Sequence, residues 1–203
     1  PQGTIAQLFR DMAAGKPGTV THVGLKTFVD PRLDGGKLND ITKEEIVELV
    51  TLGGKEQLFY KKHDVDICFL RGSLADEKGN ISYENEPLTM GNVSLAQATK
   101  RNGGIVVVQV AQVVKAGTLR AHDVKVPGIY VDYVVIVPME DNVAPIPMNM
   151  VDALAGNKPV PTSSIAPMAL DERKIIGRRG AMALVPNAAV NLGIGVPEAV
   201  ASV

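Results

Sequence analysis

Two glycine-rich stretches hold the residues best suited to chemistry. Toward the end of the chain, Asn191 precedes Gly193-x-Gly195. Behind a strand, glycines so spaced let backbone N–H groups approach a phosphate, pyrophosphate or carboxylate. Asn191 adds a neutral donor and acceptor directed at the same crevice. The third glycine of the dinucleotide fingerprint is missing and Pro197 follows at once, so a tight strand-to-helix turn explains the pattern equally well. Near the start, Gly24 and Thr27 lead into Asp30-Pro31-Arg32 and Gly35-Gly36-Lys37. Glycines open backbone conformations closed to other residues and admit a ligand at close range. Arg32 and Lys37 are candidates for holding an anion, against a default reading as solvated loop charges.

Other reactive side chains stand apart from one another. His22, His63 and His122 keep no metal-ligand spacing, and only His22, beside Gly24 at an expected strand end, is retained. Cys68, between Ile67 and Phe69, reads as a buried and inert thiol. Glu44 and Glu45 fall on an exposed helix face, while Glu86, ahead of Pro87, has no identifiable partner. No Gly-x-Ser-x-Gly elbow, phosphate loop or His-Glu-x-x-His occurs.

The elements that must position these residues follow from periodicity. Residues 4–14 place Ile5, Leu8, Phe9 and Met12 at helical spacing, and glycines at 15 and 18 stop the helix. Residues 19–29 are β-rich. Residues 42–50 fit a short helix behind a Thr42-x-x-Glu45 box, or a strand beginning at Val47. Strands are expected over 65–70, 105–110 and 128–137, a helix over 94–102 and a hairpin arm at 81–83. Strand, helix and strand with glycine at the joints predict an α/β fold with an open, mostly parallel sheet. Between 138 and 167 lie six prolines and three methionines with little periodicity, which marks an excursion between domains. From Asp171 the pattern is helical again, and residues 190–196 read as a strand entering a glycine turn.

Composition narrows the function. The 203 residues carry 21 Lys and Arg against 22 Asp and Glu, a net charge of −1. That balance argues against nucleic acid or an anionic membrane as partner, since both need a basic excess. Apolar residues make up 45%, enough for a packed core. A single cysteine excludes an internal disulfide framework and fits a reducing cytoplasm.

Taken in order, several strings are similar to family I coenzyme A transferases. They are Pro1-Gln2-Gly3-Thr4, Thr21-His22-Val23-Gly24, Thr27-Phe28-Val29-Asp30-Pro31-Arg32 and Gly35-Gly36-Lys37-Leu38-Asn39. Ala75-Asp76 with Gly79-Asn80, Ala96-Gln97-Ala98, Val126-Pro127-Gly128-Ile129-Tyr130-Val131-Asp132 and Asn191-Leu192-Gly193-Ile194-Gly195-Val196-Pro197 continue the series. The chain most resembles the single-chain propionate or acetate CoA-transferases.

The resemblance implies two similar α/β domains with the active site between them. It also implies transfer of CoA from a short-chain acyl-CoA to a free carboxylate by a ping-pong route. In that route a glutamate attacks the thioester, passes through an anhydride and ends as a glutamyl-CoA thioester. Coenzyme A is then a substrate, no cofactor or metal is expected, and the enzyme is expected to be a cytoplasmic homo-oligomer. Residue by residue, Gln2, Gly3, Gly24 and Thr27 fall on the substrate side. Asn191, Gly193 and Gly195 fall beside the nucleophile and the CoA thiol. The nucleophile itself is expected outside the chain, because no Glu-x-Gly follows the Gly193-x-Gly195 string and Glu198 lacks that context.

On this reading residues 1–138 are the remainder of a first domain, 139–169 the linker and 170–203 the beginning of a second, all within a longer polypeptide. An acyl-CoA hydrolase of the same fold, and a non-catalytic CoA-binding or assembly module, are the alternatives.

Overall fold

Helix α1 (Gln2–Ala13) buries Thr4, Leu8, Asp11 and Met12, a stripe recurring at the helical period. Gly15, at φ +79°, ends it. A side chain there would collide with the Arg101 guanidinium, 2.2 Å from the Cβ position. The computed structural model describes residues 2–138, 153–161, 163 and 166–203. Most of the expected excursion over 139–169 therefore lies outside the described residues, as does Pro1. The chain divides into Pro1–Asn157 and Lys158–Val203.

In the first unit, β1 (Gly18–Thr21) and β2 (Val47–Leu52) flank β3 (Lys55–Lys61), and both pair with it antiparallel. The strand reading of residues 47–52 is the one realised, and the expected helix over 42–50 is absent. Gly53 and Gly54, at φ +60° and +75°, make the two-residue turn that joins β2 to β3. The β-rich run over 19–29 keeps strand geometry only to Thr21 and then folds into consecutive turns.

A parallel sheet holds β4 (Ile67–Arg71), β7 (Ile105–Val110) and β10 (Tyr133–Ile136) in the order β10-β7-β4. Helix α2 (Asn92–Arg101) makes the crossover between β4 and β7 that parallel pairing demands. Cys68 and Leu70 face Val106, Val108 and Val110 in one apolar layer that includes Ala96 of α2. The strand expected over 128–137 is shortened. Gly128–Tyr130 forms a 3₁₀ turn, and the Asp132 carboxylate accepts from Val106 N at 2.8 Å and Lys100 Nζ at 2.7 Å.

A second, mixed sheet runs β8-β5-β6-β9, from Gln112–Val114, Leu74–Asp76, Ile81–Ser82 and Val124–Val126 respectively. The hairpin arm expected at 81–83 is β6. The architecture is thus mixed α/β, with parallel pairing along β10-β7-β4 and again between β5 and β8. No helix among the described residues is long and apolar enough to cross a membrane.

In the second unit, α3 (Glu172–Ala181) starts where Asp171 accepts the Lys174 N–H at 2.8 Å, an N-cap. Gly177 packs on Ala199, whose carbonyl oxygen lies 2.5 Å from where a Cβ would stand. The strand expected over 190–196 does not form. Residues 188–193 are irregular and Val196–Val200 is a 3₁₀ turn. A strand takes its stability from a paired neighbour, and this unit has none among the described residues.

Candidate functional site

A cavity of about 290 Å³ opens between α1 and β1. Gly3, Thr4 and Gln7 form one wall, while Thr19, Val20, Thr21 and Val23 form the other. The walls are tied together by Asp11, whose carboxylate accepts from Thr19 Oγ1 at 2.7 Å, Lys16 Nζ at 2.7 Å and Gln7 Nε2 at 3.3 Å. Burial works to raise the Asp11 pKa, but the bonds from Lys16, Thr19 and Gln7 outweigh it and hold the carboxyl below its ordinary value. Asp11 therefore stays ionised and clamps helix to strand.

Of the residues expected on the substrate side, Gly3 lines this cavity and Gln2 is exposed beside it at the start of α1. Gly24 follows the lining residue Val23 and takes φ +105°. A Cβ at Gly24 would stand 2.3 Å from Tyr60 Oη and 2.6 Å from Val29 Cγ2, so only glycine fits. Tyr60 Oη donates to the Val23 carbonyl at 2.7 Å, fixing this wall from behind. Thr27 Oγ1 donates to the Gly24 carbonyl at 2.7 Å, so its hydroxyl closes its own turn. His22 lies exposed between the lining residues Thr21 and Val23.

The loop beyond is organised by Asp30, which is 1% exposed. Its carboxylate accepts from Lys26 N at 2.8 Å, Arg32 N at 3.1 Å, Arg32 Nε at 2.9 Å and Arg32 Nη2 at 2.8 Å. The same guanidinium reaches Glu56 at 3.0 Å through Nη1. Hydrogen bonding from Arg32 holds the Asp30 carboxyl well below the usual carboxylate range, and Asp30 in turn raises Arg32. Lys37 pairs with Glu45. Arg32 and Lys37, candidates for an anion, are thus each engaged by carboxylates of the chain.

Other expectations are corrected or sharpened. Glu86 has a partner, since Arg71 Nε donates to it at 2.9 Å from the end of β4. Glu44 and Glu45 lie on no helix. Cys68 is buried, and burial pushes its thiol pKa up, which keeps it protonated and unreactive. His63 sets its ring edge-on to Phe9, and His122 lies exposed beside Asp123. Among the described residues, no group of three or more His, Cys, Asp or Glu side chains is placed to hold a metal ion.

In the second unit Asn191 and Gly193 are exposed in the irregular stretch, and Gly195 takes φ +103°. Arg173 Nη2 donates to the Gly195 carbonyl at 3.0 Å, tying the glycine turn to α3. Sequence reading missed Arg173; its only signal was a cation near the start of a helix, 22 residues before the glycine. The cavity lining carries no ionisable side chain. It can bind and orient a small group, and supplies neither nucleophile nor proton donor.

Comparison with known proteins bears on what is bound. The coenzyme A transferase family matches residues 1–136. The chain is 48% identical to a caffeate CoA-transferase of Acetobacterium woodii, over all of this chain and 39% of that protein. It is 37% identical to the acetate CoA-transferase YdiF of Escherichia coli (strain K12), over 98% of this chain and 38% of that one. The crystal structure of the Escherichia coli O157:H7 acyl-CoA transferase YdiF, a thioester complex with CoA, superposes with a TM-score of 0.85 at 36% identity, covering 98% of this chain and 39% of that one. The chain thus spans about two fifths of the length of these relatives.

Proposed function

The chain belongs to the coenzyme A transferase family, and from that premise we propose that the polypeptide carrying it moves CoA between a short-chain acyl-CoA and a free carboxylate such as acetate or propionate. The observation that carries this reading is the cavity beside Gly3. It sets the segment that starts at Gln2 against the turn that holds Gly24, two segments that the family resemblance places on the substrate side. Its neutral lining suits an acyl group, and the chemistry is supplied elsewhere.

In this reading the reaction runs by two half-reactions. A glutamate outside these 203 residues attacks the acyl-CoA carbonyl and expels the CoA thiolate, leaving an acyl-glutamyl anhydride. The thiolate then attacks the glutamyl carbonyl, releases the carboxylate product and forms the glutamyl-CoA thioester. The incoming carboxylate reverses both steps. Backbone amides at the Gly193–Gly195 turn serve as donors to the oxyanions and to the CoA end. CoA acts as substrate, with no further cofactor. A homo-oligomer working in the cytoplasm completes the proposal, in keeping with the single buried Cys68.

The test is exchange between propionyl-CoA and labelled acetate by the complete polypeptide, with intact-mass analysis after incubation with propionyl-CoA alone. Labelled acetyl-CoA, parallel double-reciprocal plots and a CoA-sized mass increase are expected. Release of free CoA at a rate independent of acetate would instead establish a hydrolase.

A further inference from the structure

We propose that the cleft between α1 and α2 binds a phosphate monoester, held by the guanidinium groups of Arg10 and Arg101 over the hydroxyl of Ser94. The cleft shares no lining residue with the cavity beside Gly3, so the proposal does not rest on the transferase reading.

The cleft has a volume of about 540 Å³, within the range of small-molecule sites. Arg10 lines it from α1, and Ser94, Gln97 and Arg101 line it from α2 at the i, i+3, i+7 spacing of one helix face. With Lys100 the lining holds three cations and no carboxylate. Lys100 is paired with Asp132 at 2.7 Å, which offsets its charge. Neither Arg10 nor Arg101 has an ion pair or hydrogen bond among the described residues. Two uncompensated positive charges thus border one concavity, where they repel each other until an anion lies between them.

Cations in the last turns of α1 and α2 also complement the helix dipoles. That role asks nothing of Ser94, which is the independent observation. Ser94 is only 9% exposed, and its hydroxyl has no partner among the described residues. A buried hydroxyl left unbonded costs free energy, and this one lines the cleft, where a ligand can supply the bond. Gly15 fixes the opposite side, for its missing side chain lets the Arg101 guanidinium lie across the end of α1.

The donors select the anion. A phosphate monoester carries a charge of about −1.5 to −2 at pH 7 and three acceptor oxygens. Two guanidinium forks match that charge and geometry, and the hydroxyls of Ser94 and Tyr130 add donors. The Tyr130 oxygen accepts from Gln97 at 3.2 Å, which leaves its proton to donate. A carboxylate brings less charge and fewer acceptors. Ala13 and Ala14 border the cleft and offer apolar surface to the ester group. A free phosphorylated metabolite and the 3′-phosphate of CoA present the same chemistry.

The test is titration calorimetry on the complete polypeptide in chloride buffer, with glycerol 3-phosphate as probe and acetate as comparator. Saturable binding of the probe is expected, with acetate at least about tenfold weaker. Arg10→Gln and Arg101→Gln should each weaken the probe about tenfold, Ser94→Ala severalfold, and Arg101→Lys less than Arg101→Gln. The probe should raise the melting temperature of the natural sequence and not that of the variant carrying both glutamines, whose own melting temperature without probe stays unchanged. CoA and 3′-dephospho-CoA are then competed against bound probe. Displacement by CoA alone identifies the monoester as that of CoA, displacement by neither identifies a separate metabolite, and both results uphold the site. Absence of saturable binding, displacement by both competitors, or variants that bind the probe as tightly as the natural sequence would overturn it.

Discussion

The layer beneath α2 and the turns over residues 24–36 belong to one folding unit and are held by opposite means. Beneath α2, Ile81, Val106, Val108 and Val126 are each 0% exposed and pack into one apolar cluster. Over 24–36 the arrangement is inverted, for Phe28 and Leu33 are 51% and 62% exposed while the fully buried side chain is the carboxylate of Asp30. Four bonds to that carboxylate, two from the backbone N–H groups of Lys26 and Arg32 and two from the Arg32 guanidinium, replace the apolar contacts that hold the layer. Apolar packing is non-directional and tolerates relaxation, whereas a hydrogen-bonded carboxylate prescribes where each donor must lie. The walls of the candidate cavity are joined by the same method, through the Asp11 carboxylate, which suits a segment that must present chosen atoms at its surface.

The contrast breaks first at Ile81. Ile81→Ala removes a fully buried side chain that fills the space over Gly72, and should cost about 2–5 kcal/mol in denaturant unfolding. Leu33→Ala, in the turns, should change the same measurement by less than about 0.5 kcal/mol, because Leu33 faces water. Equal losses at the two sites would show that the turns also rest on apolar packing.

Titration separates the regions at opposite ends of the pH scale. Burial within the layer pushes the Tyr83 pKa up to about 12, from an ordinary value of about 10. Its contribution is complete below the unfolded value and is lost as pH rises through the folded one. Alkaline titration should therefore remove about 2–3 kcal/mol between roughly pH 10 and 12, and Tyr83→Phe should abolish that step. Asp30 behaves in the reverse sense. Its folded pKa is depressed by Arg32, so its contribution is complete above the unfolded carboxylate value of about 3.9 and is lost as pH falls through the depressed one. Protection factors at the 24–36 amides, which correct for the pH dependence of exchange itself, should therefore fall as pH drops through the depressed Asp30 value.

A smaller effect is expected at Gly24. Gly24→Ala places a Cβ against Tyr60 Oη in a left-handed conformation and should cost about 1–2 kcal/mol. The loss should appear as faster amide exchange in the 24–36 turns. A uniform loss across the unit would mean that the turns and the apolar layer unfold together.

How much of this was legible in the sequence depends on the range of the forces involved. Helix α1, strand β7 and helix α3 are local patterns, and each forms close to where its spacing predicts, with Asp171 capping α3 rather than lying in its first turn. Strand β3 gave no such signal, since Lys55–Lys61 mixes charges with Leu58 and Phe59. It is a strand because β1 and β2 bond to both its edges. Residues 190–196 carried the opposite error, a β-like composition with no neighbour to pair with among the described residues. At the site, the resemblance pointed to Gly3 and Gly24, and the structure sets them on or beside one cavity. That Val20 and Val23 share a cavity with Gly3 depends on α1 folding back over β1. Glu86 looked isolated because its partner Arg71 is 15 residues away.

The finest test of the contrast is chemical shape at constant charge. Arg32 serves Asp30 through Nε and Nη2 and Glu56 through Nη1, so one planar group spans two carboxylates on separate segments. Lysine carries the same charge on a single nitrogen and cannot occupy the three positions at once. Arg32→Lys should keep the Asp30 contact, lose the link to Glu56 on β3 and leave the apolar layer untouched. Amide exchange at residues 24–36 should then quicken several-fold while exchange in β4 and β7 and the global unfolding midpoint stay unchanged. If the midpoint falls instead, the turns contribute to the stability of the whole unit. If exchange does not change at all, charge alone holds them, and the geometry of the guanidinium is incidental to how the turns are kept in place.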